Sequence, residues 1–203
     1  MATPNISFNP VLSTNFPGSF SVQSNGYVQG VFLDDPAVRY ALRGGILATS
    51  ETVPMWGGVV IDVAVPTPAT ASSALGGVIT RAAGYPTALG FSVFNQASNM
   101  VQTPQSRVPL SGTSMGVNYF LFGSGARIAV ACSAALAAAL EGGAYNQQVS
   151  WDFVNQVLIA FSATALPVKV INVNVGNSKI VTYSSVTNYA NWTNNGSCAL
   201  IEI

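Results

Sequence analysis

The segment "DDPAVRYALRGG", residues 34–45, carries the densest charge in the chain: Asp34, Asp35, Arg39 and Arg43 lie within ten residues of one another. Carboxylates beside guanidiniums can serve acid–base chemistry. They can also build a helix. Asp35 stands where an N-cap belongs, and Pro36 takes the first helical position, where its missing N–H costs nothing. Arg39 follows Asp35 by four residues, so the two share a helical face. Gly44-Gly45 supplies a C-terminal stop, and Arg43 in the last turn suits the negative end of the helix dipole. The spacing therefore predicts a capped surface helix rather than a catalytic pair.

"GTSMG", 112–116, matches the G-x-S-x-G nucleophile elbow. That chemistry needs a histidine to take the Ser114 proton, and the chain has no histidine. Lys169 and Lys179 do not stand in an S-x-x-K spacing. The surroundings read as turn and strand, not as strand–turn–helix. Without histidine the commonest general base and the commonest metal ligand are both missing. Cys132 and Cys198 are too few for a zinc site within one chain. Adjacent Asp34 and Asp35 do not make a calcium loop. "GSGAR", 123–127, falls short of a phosphate-binding loop. Seven acids remain for paired-carboxylate chemistry: Asp34, Asp35, Glu51, Asp62, Glu141, Asp152 and Glu202. Spacing along the chain leaves open whether any two of them converge in space. No catalytic residue, cofactor or metal is expected.

The elements around these residues read as strands and turns. "INVNV", 171–175, alternates with period 2; Val168 and Val170 have the opposite parity, which a bulge near Val170 reconciles. Gly176-Asn177 then reads as a type II′ hairpin turn with "SKIVTY", 178–183, returning from it. Asn195-Gly196 reads as a type I′ turn between "YANWT", 189–193, and "SCALIEI", 197–203. So apolar an ending belongs in an inner strand. On that strand Glu202 shares a face with Cys198 and Leu200, which predicts a polar patch or an interface. Further strands are expected over 57–66, 88–95 and 116–123, and an antiparallel pair over 147–153 and 156–162. "TPATASSALGG", 67–77, reads as a loop. A short helix over 133–140 is capped by Ser133 and stopped by Gly142-Gly143. The expectation is a single all-β domain over 1–203, mainly β with one or two short helices: a β-sandwich or jelly-roll-like barrel with an extended N-terminal arm over 1–25.

Composition narrows the function. Charged residues make up 7 % of the chain, net charge is zero, and Ser, Thr, Asn and Gln together number 59. Amides and hydroxyls cost less to desolvate than ions and bond well across an interface. The seven basic residues are scattered, so there is no footprint for nucleic acid. The longest apolar stretch, "ARIAVACSAALAAAL" (126–140), is too short for a membrane span. Residues 1–20 contain no secretion signal. Synthesis in a cytosol is expected, with Cys132 and Cys198 reduced and buried. The arm is uncharged, and its Ile6, Phe8, Val11, Leu12, Phe16 and Phe20 are candidates for docking onto a neighbour. Such a chain suits a repeated lattice, where modest contacts add up by avidity.

The segments "DDPAVRYALRGG", "PMWGGVVI", "QQVSWDFVNQ" and the ending "NWTNNGSCALIEI" resemble those of capsid decoration, or cement, proteins of tailed double-stranded-DNA bacteriophages. The similarity covers the chain after residue 25. It implies a non-enzymatic, β-rich virion protein that binds outside an icosahedral shell and ties major capsid subunits together, as a dimer or trimer. It implies the capsid exterior as location, after synthesis in the bacterial cytoplasm, and neither nucleic acid nor membrane as partner. It carries no catalytic residues over to this chain. The other readings left open are a shell or tail-tube subunit, or a carbohydrate-binding jelly roll using Trp56, Trp151 and Trp192.

Overall fold

A computed structural model describes residues 14–15, 19–20, 26–33, 35–66, 76–94, 101–103, 106–143 and 147–203. The chain is mainly β with short helices. In order the elements are β1 (Thr14–Asn15), β2 (Ser19–Phe20), α1 (Pro36–Arg39), β3 (Arg43–Leu47), β4 (Val60–Ala64), β5 (Val78–Arg81), β6 (Gly90–Val93), β7 (Val101–Thr103), β8 (Ser106–Leu110), β9 (Gly116–Leu121), β10 (Arg127–Ala131), α2 (Ala134–Leu140), β11 (Val149–Asp152), β12 (Val157–Ala160), β13 (Lys169–Ser184) and β14 (Tyr189–Glu202). The expected loop at 67–77 falls on residues outside this description except for Gly76 and Gly77.

Five strands close a small barrel in the order β3-β5-β4-β6-β9. Its pairs are antiparallel except β3 with β5, which run parallel through Ile46↔Val78 and Leu47↔Ile79. Side chains alternate along a strand, so the barrel wall serves two cores. Leu47, Ile61, Ile79, Val117 and Tyr119 fill one with Met55 and Trp56. Their strand neighbours Val60, Phe91, Val93 and Phe120 enter the other. That second core is completed by Ile128, Val130, Leu136, Trp151, Leu158, Ala199 and Ile201. Its far wall is the sheet β10-β14-β13.

The strands expected over 57–66, 88–95 and 116–123 are β4, β6 and β9, and the pair 147–153 and 156–162 is β11 with β12. Asp152 shapes the turn between them: its carboxylate accepts from the Val154 and Asn155 backbone N–H at 2.8 and 2.9 Å. The helix expected at 133–140 is α2, with Ser133 Oγ accepting from Leu136 N at 3.2 Å. The C-terminal strand is internal, as its apolar character demands, with Arg127↔Glu202 on one side and Lys169↔Glu202 on the other.

Two expectations are corrected. The first concerns the opening helix. Asp35 caps it, accepting from Ala37 N at 2.9 Å, but α1 spans only four residues. Gly44-Gly45 does not stop it, and Arg43 is not in its last turn. All three belong to β3, opposite Tyr119, Asn118 and Val117 of β9. The reason lies in the barrel. A Cβ on Gly45 would stand 2.6 Å from the Gly77 carbonyl oxygen and 2.8 Å from Ile79, so glycine is what lets β3 approach β5.

The second correction concerns the two C-terminal hairpins. Neither Gly176-Asn177 nor Asn195-Gly196 is a turn. They lie inside one long hairpin of β13 and β14, 16 and 14 residues, whose turn is at 185–188. The register slips between Asn174 and Ser178, where four steps on β13 face two on β14, and again between Ser178 and Ile180. Gly176, at φ 72°, takes the left-handed conformation inside this bulge. Gly196 is opposite Ser178, and a Cβ there would stand 2.4 Å from Ile180. Both glycines permit an irregular ladder, where the local pattern points to reversals. The slip expected near Val170 is present, between Val170 and Asn172. Beyond the bulge the hairpin leaves the sheet and covers the barrel, with Val181, Tyr183, Ala190 and Trp192 on its core.

A buried polar network holds that crossing. Gln29 is 1 % exposed and Ser178 fully buried. Gln29 N donates to Lys179 O, Lys179 N to Tyr27 O and Tyr27 N to Ser178 Oγ. Gln29 Oε1 accepts from Val181 N at 2.8 Å, and Ser178 Oγ donates to Asn174 Oδ1 at 2.9 Å. Among the described residues no buried side-chain polar atom lacks a partner, as close-packed interiors require.

Candidate functional site

Ser114 has the backbone strain of an elbow serine, with φ 64°, but not its setting. It is exposed in a turn that leads into β9, and its N–H donates to the Leu47 carbonyl at 3.0 Å. No histidine stands in the sequence to activate it.

The acids are dispersed over structural tasks. Asp35 caps α1, Asp152 holds its turn, and Glu141 follows the last turn of α2. The Asn155 N–H and amide hold the Asp152 carboxyl below its usual range. Asp34 lies outside the described residues. Among the described residues no three of His, Cys, Asp and Glu are grouped to hold a metal ion.

Glu51 is the most committed of the acids. Its Oε2 accepts from Arg81 Nη1 at 3.0 Å and its Oε1 from the Arg81 backbone N–H at 2.8 Å. The guanidinium also donates to the carbonyls of Val53 and Pro54, at 2.8 and 2.6 Å, and lies 4.9 Å from the Trp56 ring centroid. Burial lowers the Arg81 pKa, against the opposing pull of Glu51. This unit closes the 51–56 loop over the barrel. Glu51 and Arg81 are thirty residues apart, so no local pattern pairs them.

The tryptophans are core residues in two cases of three. Trp151 is 2 % exposed and meets Phe91 edge-on; Trp56 is 7 % exposed beneath Arg81 and beside Tyr183. Trp192 is half-buried against Phe94. They do not line up as one stacking platform.

Cys132 and Cys198 are both free and buried. Burial pushes each thiol up to about 12. A neutral thiol is a poor nucleophile, so both act as small apolar groups.

A charged cluster lies at one end of the sheet. Glu202, at the end of β14, lies between Arg127 and Lys169: Arg127 Nε is 3.4 Å and Lys169 Nζ 4.0 Å from its carboxylate. This is the polar patch expected at Glu202. Beside β10 runs an added strand-like segment, with Phe32 opposite Ile128 and Leu33 N bonded to Arg127 O at 2.9 Å. Val31 and Leu33 are 45 % and 48 % exposed on it. It sets a charged cluster beside exposed apolar side chains.

The candidate docking residues of the arm, Ile6, Phe8, Val11, Leu12 and Phe16, lie outside the described residues. Phe20 closes β2, opposite Thr14, and its side chain lies outside them as well. No helix of the described residues is long and apolar enough to cross a membrane. No family model, no curated protein and no solved structure matches the chain.

Proposed function

We propose that this chain is a non-enzymatic virion structural protein. It binds the outside of an icosahedral phage capsid and cements neighbouring major capsid subunits. The observation that carries this reading is the resemblance of four segments, from "DDPAVRYALRGG" to the C-terminal "NWTNNGSCALIEI", to tailed-phage decoration proteins. Composition supports it: 59 amide and hydroxyl side chains against fourteen charges make a surface suited to being covered. The committed roles of Asp35, Glu51, Arg81 and Asp152 are in keeping with a structural part.

In this reading the partner is the major capsid protein, and the chain acts as a dimer or trimer on the capsid exterior, without nucleic acid, membrane or cofactor. It is made in the bacterial cytoplasm. The barrel and the β10-β14-β13 sheet form a jelly-roll-like sandwich, and residues 1–25 form an extended arm of one domain over 1–203.

The test is a titration of capsids stripped of accessory proteins, from the source virus, with copies bound per particle counted. Saturation at a whole multiple of the lattice sites, with a shell more resistant to heat, supports cementing. Absence of binding overturns it and puts the shell subunit, the tail tube and the sugar-binding module ahead.

A further inference from the structure

We infer that the open row Leu33, Arg127, Glu202 and Lys169, with Val31 beside it, on the sheet built from residues 30–33, β10, β14 and β13 is the docking surface, and that its occupant is a protein surface presenting carboxylates around an apolar side chain. The inference rests on the cement reading for the identity of that surface, the shell exterior. It comes from the sheet register, independently of the arm.

Side chains on one side of the sheet are committed to the core. Phe32, Ile128, Ile201 and Val170 stand opposite one another on successive strands and pack inward. Their neighbours must therefore point outward. Two outward rows follow from the pairing. One is Val31, Ala129, Leu200 and Asn172; the other is Leu33, Arg127, Glu202 and Lys169. Cross-strand neighbours lie about 5 Å apart, so the second row is continuous. It is open: Arg127 and Lys169 side chains keep 52 % and 60 % of their surface, beside the exposed Val31 and Leu33. In the first row Ala129 and Leu200 are buried, at 3 % and 8 % exposure, so the second row and Val31 make the surface that a partner can reach.

Charge decides what fits. Two cations share the single carboxylate of Glu202, so the row is positive overall. Asp35, the described acid nearest to Leu33 in sequence, is turned to the N-terminus of α1. A second copy is a poor occupant. A twofold along the row sets Glu202 against Glu202 and cation against cation, and one across its middle pairs Arg127 with Glu202 but lays each Lys169 ammonium on the apolar Leu33 of the other copy. An acidic partner pairs Arg127 and Lys169 while covering Val31 and Leu33. Arginine at the centre of an apolar contact is a common anchor.

The test uses stripped shells and four full-length proteins: wild type, Arg127→Glu with Lys169→Glu, Leu33→Asp, and Val186→Asp as a control on the exposed hairpin turn. Wild type and Val186→Asp should fill the shell alike. The two face variants should bind about tenfold more weakly or worse, and wild-type binding should weaken as salt rises. Arg127→Gln with Lys169→Gln removes both charges without reversing them and reads the same loss should the reversal unfold the protein. Face variants that fill the shell like wild type overturn the inference and leave the cement reading standing. A wild type that does not bind overturns both.

Discussion

The Arg81 guanidinium and the Glu51 carboxylate meet at 3.0 Å where their side chains keep only 15 % and 17 % of their surface. Trp56 covers the guanidinium, and two loop carbonyls accept two more of its donors. Removing either partner leaves a desolvated charge. Arg81→Met and Glu51→Gln should each cost about 3 kcal/mol, the range for breaking a buried pair. Arg81→Lys should rescue little, because an ammonium cannot fork to one carboxylate and two carbonyls at once. Urea unfolding of the three variants checks this; a loss under about 1 kcal/mol, the level of surface pairs, is the contrary result.

Gly176 and Gly196 should fail in different ways. Gly176→Ala meets nothing within 4 Å but must hold φ 72°, so it should lose about 1 kcal/mol, less with asparagine. Gly196→Ala drives a methyl into Ile180 and should cost about 1–3 kcal/mol. Adding Ile180→Ala should make the second change less harmful than it is alone. A double-mutant cycle with no coupling between Gly196 and Ile180 contradicts the bulge.

The buried thiols set a pH limit. Cys132 and Cys198 stay protonated in the folded chain up to about 12, whereas unfolding releases them to an ordinary 9.0. Above that ordinary value the unfolded state holds fewer protons than the native one. Stability is therefore complete below pH 9.0 and falls as pH rises toward 12. The slope is about 1.4 kcal/mol per pH unit for each thiol. Cys132→Ala with Cys198→Ala should flatten it. Thiol-reactive dye at pH 8 should label neither cysteine until denaturant is added, and rapid labelling of the native chain speaks against this.

The arm can be tested by itself. Deleting residues 2–20 removes Ile6, Phe8, Val11, Leu12, Phe16 and Phe20 together. Capsid occupancy should fall while the melting temperature of the remaining β domain holds. Unchanged occupancy removes the arm from the binding surface and leaves the sheet face as the site.

Local pattern determined much of this chain. Branched and aromatic residues between glycines mark 88–95 and 116–123, a branched run ended by Pro66 marks 57–66, and period-2 alternation marks 171–175, because strands favour such side chains and one side of a half-buried strand faces a core. Ser133 and Asp35 cap helices through bonds that span three residues or fewer. The apolar ending "CALIEI" requires an inner strand, since water does not tolerate so much exposed apolar surface. What tertiary structure decided involves partners distant in sequence. A glycine beside an asparagine suits both a reversal and a bulge. Which one forms depends on whether a strand lies opposite, and β13 and β14 supply it to each other along their whole length. Gly44-Gly45 reads as a helix stop until the Gly77 carbonyl arrives to claim the space of a Cβ. Arg81 and Glu51 carry no local signature, and neither does the row Leu33, Arg127, Glu202 and Lys169. It is assembled from four segments whose order in the sheet only the folded chain establishes.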